Sequence, residues 1–474
     1  MDATTGWGRT APPPPVRHVH LGLGAFARAH AVVFTDAANQ LVDAPERWGV
    51  AGFTGRSGGV ARTLAAQDGR YHLVVRGAEG DAIGVVDALV EARDGADADR
   101  WRDRLSRAEV GVVTLTVTET GYRATGTGAD AVLDTVDPEV RADLALLRSP
   151  DASAGGGPAC RTAPGRLVDG LRARRAAAAG PIALVPCDNL PANGVVLRAV
   201  VRGMAALVDE AHARWIDAHV SFVSTVVDRI TPATVEADRT AVRAATGTDD
   251  AAPVVTEPFR EWVLAGEFPA GRPAWEQAGA RFVPDVAPYE RRKLWLLNAG
   301  HSLLAYAGLP HGHRTVADAV ADTAIGGRLE ALWSEAAAVL GLPEAEVEAA
   351  TTALRHRFAN PRIEHRLEQI ARDGSQKLPV RVLDVVRARR AAGLPVGGAG
   401  VEVLADWAAH LRRCDVAHAD PRALELAERL RTAAPADVAA LVVAALAPDL
   451  AADHAFVDRL AAAVDARLAV PATS

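Results

Sequence analysis

Cysteine and aromatic residues are scarce in this chain of 474 residues, and acidic side chains outnumber basic ones. Its three cysteines, Cys160, Cys187 and Cys414, lie far apart without metal-ligand spacing, which argues against a disulfide framework or a thiolate metal site. A formal net charge of −7 provides no basic field for nucleic acid. No apolar run reaches the roughly 18 residues of a membrane span, and no signal peptide is visible. We therefore expect a cytoplasmic protein that binds neither nucleic acid nor membrane.

A glycine turn after a short strand is the first element with chemical meaning. Alternating apolar residues from Val19 to Leu23 form the strand, and Gly22 and Gly24 open the turn into a helix. In dinucleotide-binding folds, such glycines let the backbone approach a pyrophosphate at a helix N-terminus. Ala27 replaces the third glycine of that fingerprint. The motif predicts a dinucleotide site, and the alternative is an ordinary strand–turn–helix connection.

The Glu290–His301 segment places a lysine, an amide and an imidazole inside what otherwise has the pattern of a core helix. At about 100° per residue, His301 lies about 80° and Asn298 about 140° around the helix from Lys293, so the three share one side. Desolvation lowers the pKa of a lysine toward neutrality, where it can take a proton from an alcohol. The alternative is a surface lysine and a helix that ends at Asn298-Ala299-Gly300.

Two further segments place polar groups at the carboxyl ends of predicted strands, where open α/β sheets bind ligands. Asp188 and Asn189 follow a strand at residues 182–186, and Asp228 follows a strand at residues 220–227. The Asn189 amide is suited to stabilise charge that develops on a carbonyl oxygen. The alternative for both segments is ordinary turn chemistry.

Together these segments resemble the mannitol dehydrogenase family, the long-chain, metal-independent dehydrogenases of polyols and sugar acids. Eight segments match in the family's order and cover roughly residues 17 to 390. They are Gly22-x-Gly24-x-Phe26-x-Arg28-Ala29-His30, Gln67-Asp68-Gly69-x-Tyr71, Thr116-Val117-Thr118-Glu119-x-Gly121-Tyr122, Cys187-Asp188-Asn189-Leu190-Pro191-x-Asn193-Gly194, Val227-Asp228-Arg229-Ile230-x-Pro232, Lys293-x4-Asn298-x2-His301, Arg357-Phe358-Ala359-Asn360-Pro361 and Asp373-Gly374-Ser375-Gln376-Lys377-Leu378-Pro379.

The sequence predicts two domains, because the chain is too long for one ordinary core. Strand-like runs alternate with helical stretches at first, at residues 16–23, 48–55, 111–118, 182–186 and 220–227, and only amphipathic helical stretches follow Pro288. We expect an α/β fold with a flexible arm at residues 1–15, a Rossmann-type dinucleotide-binding domain at 16–284 and an all-helical substrate-binding and catalytic domain at 285–474. The resemblance implies a cleft between the two domains.

The resemblance also implies catalytic roles. Lys293 matches the general base, which takes the alcohol proton while the hydride passes to the nicotinamide. The residues that match groups around this base are the amides Asn189 and Asn298, the hydroxyl ligand His301, and the acidic residues Asp228 and Glu290. No metal is expected, because the lysine replaces a Lewis acid. A catalytically silent nucleotide-binding regulator is the alternative of another class, and such a regulator has no need of a general base.

The expected cofactor is NAD or NADP. The residues expected to bind it are Gly22, Gly24, Phe26, Arg28, Arg56, Ser57, Thr118 and Asp188. An acidic residue near the end of the second strand favours NAD, but here no Asp or Glu appears before Asp68. Arg56 and Ser57 are suited to bind a 2′-phosphate instead. We therefore predict use of both cofactors, and the alternative is that Arg56 stacks on the adenine or faces solvent.

The substrate stays open between a neutral polyol and a sugar acid, with D-mannitol and D-fructose predicted first. Gln369 stands where the mannitol-using branch is expected to carry arginine, and the run from Gln369 to Arg381 is similar to the fructuronate reductase branch. Lys377 and Arg381 are suited to hold a substrate carboxylate, as in D-mannonate or D-fructuronate. The alternative is that Arg381 is a solvated helix residue. We expect a monomer, with a homodimer as the alternative.

Overall fold

The computed structural model describes residues 8–9, 11–55, 57–149, 157–414 and 419–469. The chain divides into two compact units, Met1–Ala287 and Pro288–Ser474. Residues 1–7 and 10 of the predicted arm, and Arg56, lie outside the described residues. The domain boundaries expected from the sequence stay predictions. Within the described ranges, no helix combines the length and apolar character that crossing a bilayer requires.

The first unit contains strands β1 to β14. In chain order they are β1 (Val16–Leu21), β2 (Gly49–Phe53), β3 (Tyr71–Arg76), β4 (Asp81–Val86), β5 (Leu89–Arg93), β6 (Val112–Leu115), β7 (Ala124–Thr125), β8 (Val132–Leu133), β9 (Ile182–Pro186), β10 (Val220–Phe222), β11 (Ser224–Asp228), β12 (Val254–Thr256), β13 (Glu261–Ala265) and β14 (Arg281–Phe282).

A six-stranded parallel sheet forms the centre of this unit, in the order β5-β2-β1-β6-β9-β10. This is the order of a Rossmann fold, with the reversal between β1 and β6. Strands β2, β6 and β9 are buried along their whole length, as expected where helices cover both faces of a parallel sheet. The α-helices of this unit are Ala25–Ala29, Ala31–Asn39, Gly59–Ala66, Ala98–Leu105, Pro138–Arg148, Ala163–Ala176, Asn193–Val208, Glu210–His219 and Glu236–Thr246.

The strand predicted at residues 220–227 is two strands in different sheets. β10 pairs with β9 in the central sheet, whereas β11 pairs antiparallel with β13. Val223, between them, is fully buried. Because an uninterrupted apolar run has the same pattern in one strand or in two, the sequence did not mark the change of sheet.

The described residues of the second unit form helices and connecting loops and no strand, apart from an isolated bridge between Thr315 and Arg366. Its α-helices are Ala287–Arg292, Ala299–Gly308, Val316–Ala321, Thr323–Ala337, Glu344–Phe358, Leu367–Ile370, Gly374–Leu378, Asp384–Ala391, Gly398–Arg413, Leu424–Thr432, Pro435–Leu446 and His454–Leu468. Lys293–Asn298 and Pro379–Leu383 are π-helical. Leu303, Trp333 and Trp407 lie in its core. The predicted α/β fold followed by a helical domain is therefore confirmed.

Candidate active site

The predicted site residues fall into two groups, one in each unit. In the first unit, the glycine turn lies at the point where the strand order reverses. Gly22 has a φ of +97°, and a Cβ atom there would lie 2.1 Å from the carbonyl oxygen of Thr116, just after β6. The amides of Gly22 and Leu23 both donate to the Phe53 carbonyl of β2, at 2.8 and 2.9 Å. No other residue fits at Gly22, because its conformation and its contact both exclude a side chain.

A cavity of about 560 Å³ opens beside this turn. Its lining includes Gly22, Gly55 at the end of β2, and Thr116 and Thr118 after β6. The volume falls within the range of small-molecule sites, about 300–1,000 Å³. A bare glycine backbone at the switch point of a Rossmann sheet is the cradle that a dinucleotide pyrophosphate requires. The residues present therefore fit the predicted cofactor.

Arg28 supports the glycine turn from behind. Its buried guanidinium donates to the carbonyls of Ala252 at 2.5 Å and Gly24 at 3.4 Å, and burial lowers its pKa. The Arg28 carbonyl accepts a bond from the Tyr71 hydroxyl at 2.6 Å. Phe26 is half-buried and stacks on His30, with ring centroids 5.1 Å apart. The contacts of Arg28 therefore hold backbone, and a direct bond from Arg28 to the cofactor stays a prediction.

Asp188 links two of the matched segments. Its carboxylate accepts bonds from the Tyr122 hydroxyl, from the Leu190 amide at 3.0 Å and from the Asn193 side chain at 3.5 Å. Asn193 in turn accepts from the Thr225 amide of β11 at 2.9 Å. Burial raises the pKa of Asp188 to about 6. This network fixes the turn on which the exposed Asn189 lies.

Asp228 is buried at the carboxyl end of β11, opposite Glu261 of β13. The next residue, Arg229, is also buried and donates to the carbonyls of Ala29 and Glu257. Burial lowers the pKa of Arg229 to about 10. Arg229 therefore ties the end of β11 to the helix that follows the glycine turn.

In the second unit, the proposed base and amide lie at the two ends of a π-helix. Lys293 is its first residue and Asn298 its last, both half-buried, and an α-helix continues from Ala299 to Gly308. The alternative of a helix that ends near Gly300 is therefore wrong. The expected 100° spacing is also wrong here, since a π-helix bonds residue i to residue i+5. Lys293 and Asn298, five residues apart, consequently lie roughly one turn apart.

Arg381, in the second π-helix, is tethered to the first. Its Nη1 donates to the Asn298 carbonyl and to the Ser302 hydroxyl, both at 3.2 Å. Burial lowers its pKa to about 10. The alternative of a solvated helix residue is wrong. Among the described residues, its Nε and Nη2 atoms have no hydrogen-bond partner.

His301 is buried beside Phe358 and His365, with ring centroids 4.7 and 4.6 Å away. Its pKa lies well below the ordinary value because of burial, and then because of His365, Arg357 and Arg381 nearby. Within the described part of the chain, its Nε2 has no hydrogen-bond partner. A neutral ring with one unsatisfied nitrogen is suited to bind a ligand hydroxyl, because buried polar atoms are normally paired.

Three further predicted residues have simpler surroundings. Lys377 donates to the carbonyls of Ile370 at 3.4 Å and Arg372 at 2.5 Å, and burial followed by the nearby charge of Arg381 lowers its pKa. Glu290 is half-buried one turn before Lys293, and Ser57 is exposed. No group of three or more His, Cys, Asp or Glu side chains among the described residues could hold a metal ion. Metal independence stays a prediction.

The sequence marks Gln67–Tyr71 as a family motif without a role, and the structure gives the segment a structural one. Gln67 donates to Asp250 at 2.8 Å and accepts from the Ala251 amide at 2.8 Å. Asp250 also accepts from the backbone of His72 at 2.6 Å. Together with the Tyr71 bond to Arg28, these contacts hold the loop that buries the Arg28 guanidinium.

Comparison with known proteins agrees with this geometry. Residues 16–277 match the mannitol dehydrogenase Rossmann domain, and residues 285–468 match the mannitol dehydrogenase C-terminal domain. The chain belongs to the mannitol dehydrogenase family. The family predicted from the eight segments is confirmed, and the protein is a dehydrogenase of the polyol and sugar-acid class.

Sequence identity and structural similarity to three relatives measure how similar the chain is to known members of this class. The chain is 37% identical to D-mannonate oxidoreductase of Escherichia coli K12, over 78% of this chain and 75% of the relative. It is 31% identical to Pseudomonas fluorescens mannitol 2-dehydrogenase, solved in ternary complex with NAD and D-mannitol, with a TM-score of 0.75 and coverage of 95% and 91%. D-sorbitol dehydrogenase in substrate-free form is 26% identical, with a TM-score of 0.82 and coverage of 95% and 97%.

Proposed function

We propose that the protein interconverts a secondary alcohol and its ketone, with Lys293 as general acid and base. Lys293 takes the proton of the alcohol at Nζ, and returns it to the oxygen when the ketone is reduced. The bound nicotinamide cofactor accepts or supplies the hydride. The amides of Asn298 and Asn189 orient the substrate oxygen and stabilise its developing charge. Asp228 and Glu290 tune the lysine and its proton path.

We propose that His301 binds a second substrate hydroxyl. Its imidazole is kept neutral by burial, so one ring nitrogen donates and the other accepts. Nε2, which has no hydrogen-bond partner among the described residues, would form the bond to the substrate hydroxyl. A fixed hydroxyl beside the reacting carbon orients the alcohol for hydride transfer, and orientation is a large part of catalysis.

For the substrate, we favour a sugar acid of the D-mannonate and D-fructuronate type over the D-mannitol and D-fructose predicted first. The observation that carries this choice is Arg381. Its Nη1 is held by the protein, whereas its Nε–Nη2 edge has no hydrogen-bond partner among the described residues. That edge binds a carboxylate in bidentate fashion. The causes that shift its pKa include no carboxylate, so a substrate anion would supply the missing counter-charge.

Substrate preference of the Arg381→Ala variant tests this proposal. Loss of the tether to Asn298 should lower turnover on every substrate alike. The acid should lose a further factor of about 10 or more in kcat/KM relative to D-mannitol, as removal of a charge-assisted hydrogen bond does. Ser302→Ala is the matched control, because it removes one tether contact and no charge. Equal losses on acid and polyol, or a wild type that prefers D-mannitol, would return the choice to the neutral polyol.

We propose NAD as a cofactor, with NADP also accepted, bound in the cavity beside Gly22. The glycine turn would hold the pyrophosphate, and Thr118 and the Asp188 turn would lie along the nicotinamide half. Metal independence, a monomeric state and a cytoplasmic location complete the proposal. Measurement of reduced-cofactor absorbance over mannonate, altronate, mannitol, arabinitol and sorbitol with both cofactors tests the cofactor and substrate parts of the proposal in one series.

A further inference from the structure

Three arginines line the cavity beside the glycine turn, and two of them are fully engaged by the protein. Arg123 pairs with Asp137 at 2.9 Å and with Glu139. Arg166 donates to the carbonyls of Cys160 at 2.9 Å, Thr54 at 3.2 Å and Gly55 at 3.0 Å. These two therefore shape the wall of the cavity.

Arg161 differs from both. Arg161 is exposed and lines the same cavity, and its guanidinium has no hydrogen bond or ion pair among the described residues. Its backbone is nevertheless fixed, since the Arg161 amide donates to Asp143 at 2.8 Å and Thr162 caps the helix Ala163–Ala176. Among the described lining residues, Arg161 is thus the one cation that combines a fixed backbone with a guanidinium that has no protein partner.

Among the described residues that follow β2, no Asp or Glu appears before Asp68, so the chain itself supplies no acid at the usual NAD-selecting position of this strand. The carbonyls of Thr54 and Gly55 both accept from Arg166, and the Thr54 hydroxyl accepts from the Gly95 amide at 3.0 Å. Glu139 is the single carboxylate among the described lining residues, and Arg123 pairs with it. Asp94, which follows the neighbouring strand β5, lies outside the lining. Its Oδ1 accepts from the Ala96 amide at 3.0 Å, and its Oδ2 packs against Gly58 in the turn after β2. The described lining therefore carries three arginines and one carboxylate, a net positive charge, beside the end of β2 where the adenosine ribose of a Rossmann cofactor lies.

We propose that Arg161 is a cofactor-specificity residue that binds the 2′-phosphate of NADP. This inference rests on the proposed dehydrogenase function and goes beyond it, since it assigns the phosphate to a residue outside the β2 turn. A guanidinium without a counter-ion forms charge-assisted bonds to phosphate oxygens. The same group could instead bind the pyrophosphate, which NAD and NADP share. The two cases differ in which ligands lose affinity.

Calorimetric binding to the full chain separates these cases, with NADH, NADPH, 5′-AMP and adenosine 2′,5′-bisphosphate as probes. We expect Arg161→Ala to weaken NADPH and the bisphosphate about tenfold or more, with NADH and 5′-AMP within about twofold. Arg161→Lys should retain part of the NADPH affinity, because it keeps the charge and loses the fork. Arg214→Ala, an exposed arginine on the helix Glu210–His219, is the matched control and should change neither.

Three results would overturn the inference. Equal losses for NADH and NADPH would assign Arg161 to the pyrophosphate. Unchanged binding in Arg161→Ala, with discrimination lost in Arg56→Ala, would assign the 2′-phosphate to Arg56. A wild type that binds NADH and not NADPH would remove the 2′-phosphate site while leaving the dehydrogenase proposal intact. Absence of NADH binding in a folded wild type would instead count against the proposed function itself.

Discussion

At the residue scale, hydrogen bonding separates groups that position others from groups that take a ligand. Gln67 and Asp188, and Arg28 through its Nε and Nη1, bond to other groups of the chain. His301 Nε2 and the Nε–Nη2 edge of Arg381 have no partner among the described residues. All five residues lie within or beside matched segments, so the sequence pattern alone did not distinguish the two classes. The two classes differ in hydrogen-bond partners that are remote in sequence, such as Asp250 for Gln67.

The two proposed amides should act on the barrier and not on binding. Asn298→Ala and Asn189→Ala should each cost roughly 2.7–4 kcal/mol in activation free energy, as loss of a preorganised donor does. The loss should appear mainly in kcat. Asn298 also offers its carbonyl to Arg381, which the substitution keeps. If steady-state kinetics showed that only KM rose and kcat stayed unchanged, the amide would be a substrate-binding residue and not a catalytic one.

At the scale of elements, the sequence predicted what apolar periodicity encodes. The strands β1, β2, β6 and β9 were found because they are short, buried and bounded by turns. The hairpin of β3 and β4 was missed. β4 is largely exposed, and Gly84 interrupts its apolar side chains. The helix around Lys293 was found, but its π-helical part was not. A π-helix differs from an α-helix in bonding residue i to i+5 and not to i+4, and this difference does not change the residue types of the segment.

The glycine turn offers an element-scale prediction with a built-in control. Gly22→Ala places a Cβ against Thr116 at a φ of +97°, so we expect a stability loss of at least about 1–3 kcal/mol and weaker NADH binding. Gly24→Ala has nothing closer than 3.8 Å and no positive φ, so it should keep the wild-type stability. Urea unfolding of both variants measures the difference. Equal stability in the two variants would contradict the described turn.

At the scale of the whole molecule, the order of matched segments was the strongest signal. It predicted a Rossmann-type domain followed by a helical one, and both family domains are matched in that order. The substrate was harder to predict, because Arg381 is separated from Asn298 by more than 80 residues. Only the fold places its guanidinium on the Asn298 carbonyl.

Buried neutral histidines should make the first unit sensitive to acid. Burial lowers the pKa of His18 to about 3 and those of His20 and His212 to about 4. The unfolded chain therefore binds more protons than the native one below about pH 6.5, and stability falls as pH decreases from there toward pH 3–4. Each group contributes up to about 1.4 kcal/mol per pH unit. The raised pKa of Asp188 acts in the opposite direction.

Unfolding free energy measured from pH 7.5 to pH 4.5 tests this expectation. His20→Asn should reduce the slope below pH 6.5, whereas His454→Asn, at an exposed position, should leave it unchanged. A wild-type free energy that stays constant down to pH 4.5 would show that these histidines do not control acid stability.

The role of Lys293 is the central claim, and turnover of Lys293→Ala with a small primary amine tests it most directly. We predict that turnover falls by about 10² to 10⁴, that NADH binding stays unchanged, and that added amine restores part of the rate in the variant and none in the wild type. Retention of more than about half of the wild-type turnover would contradict the assignment.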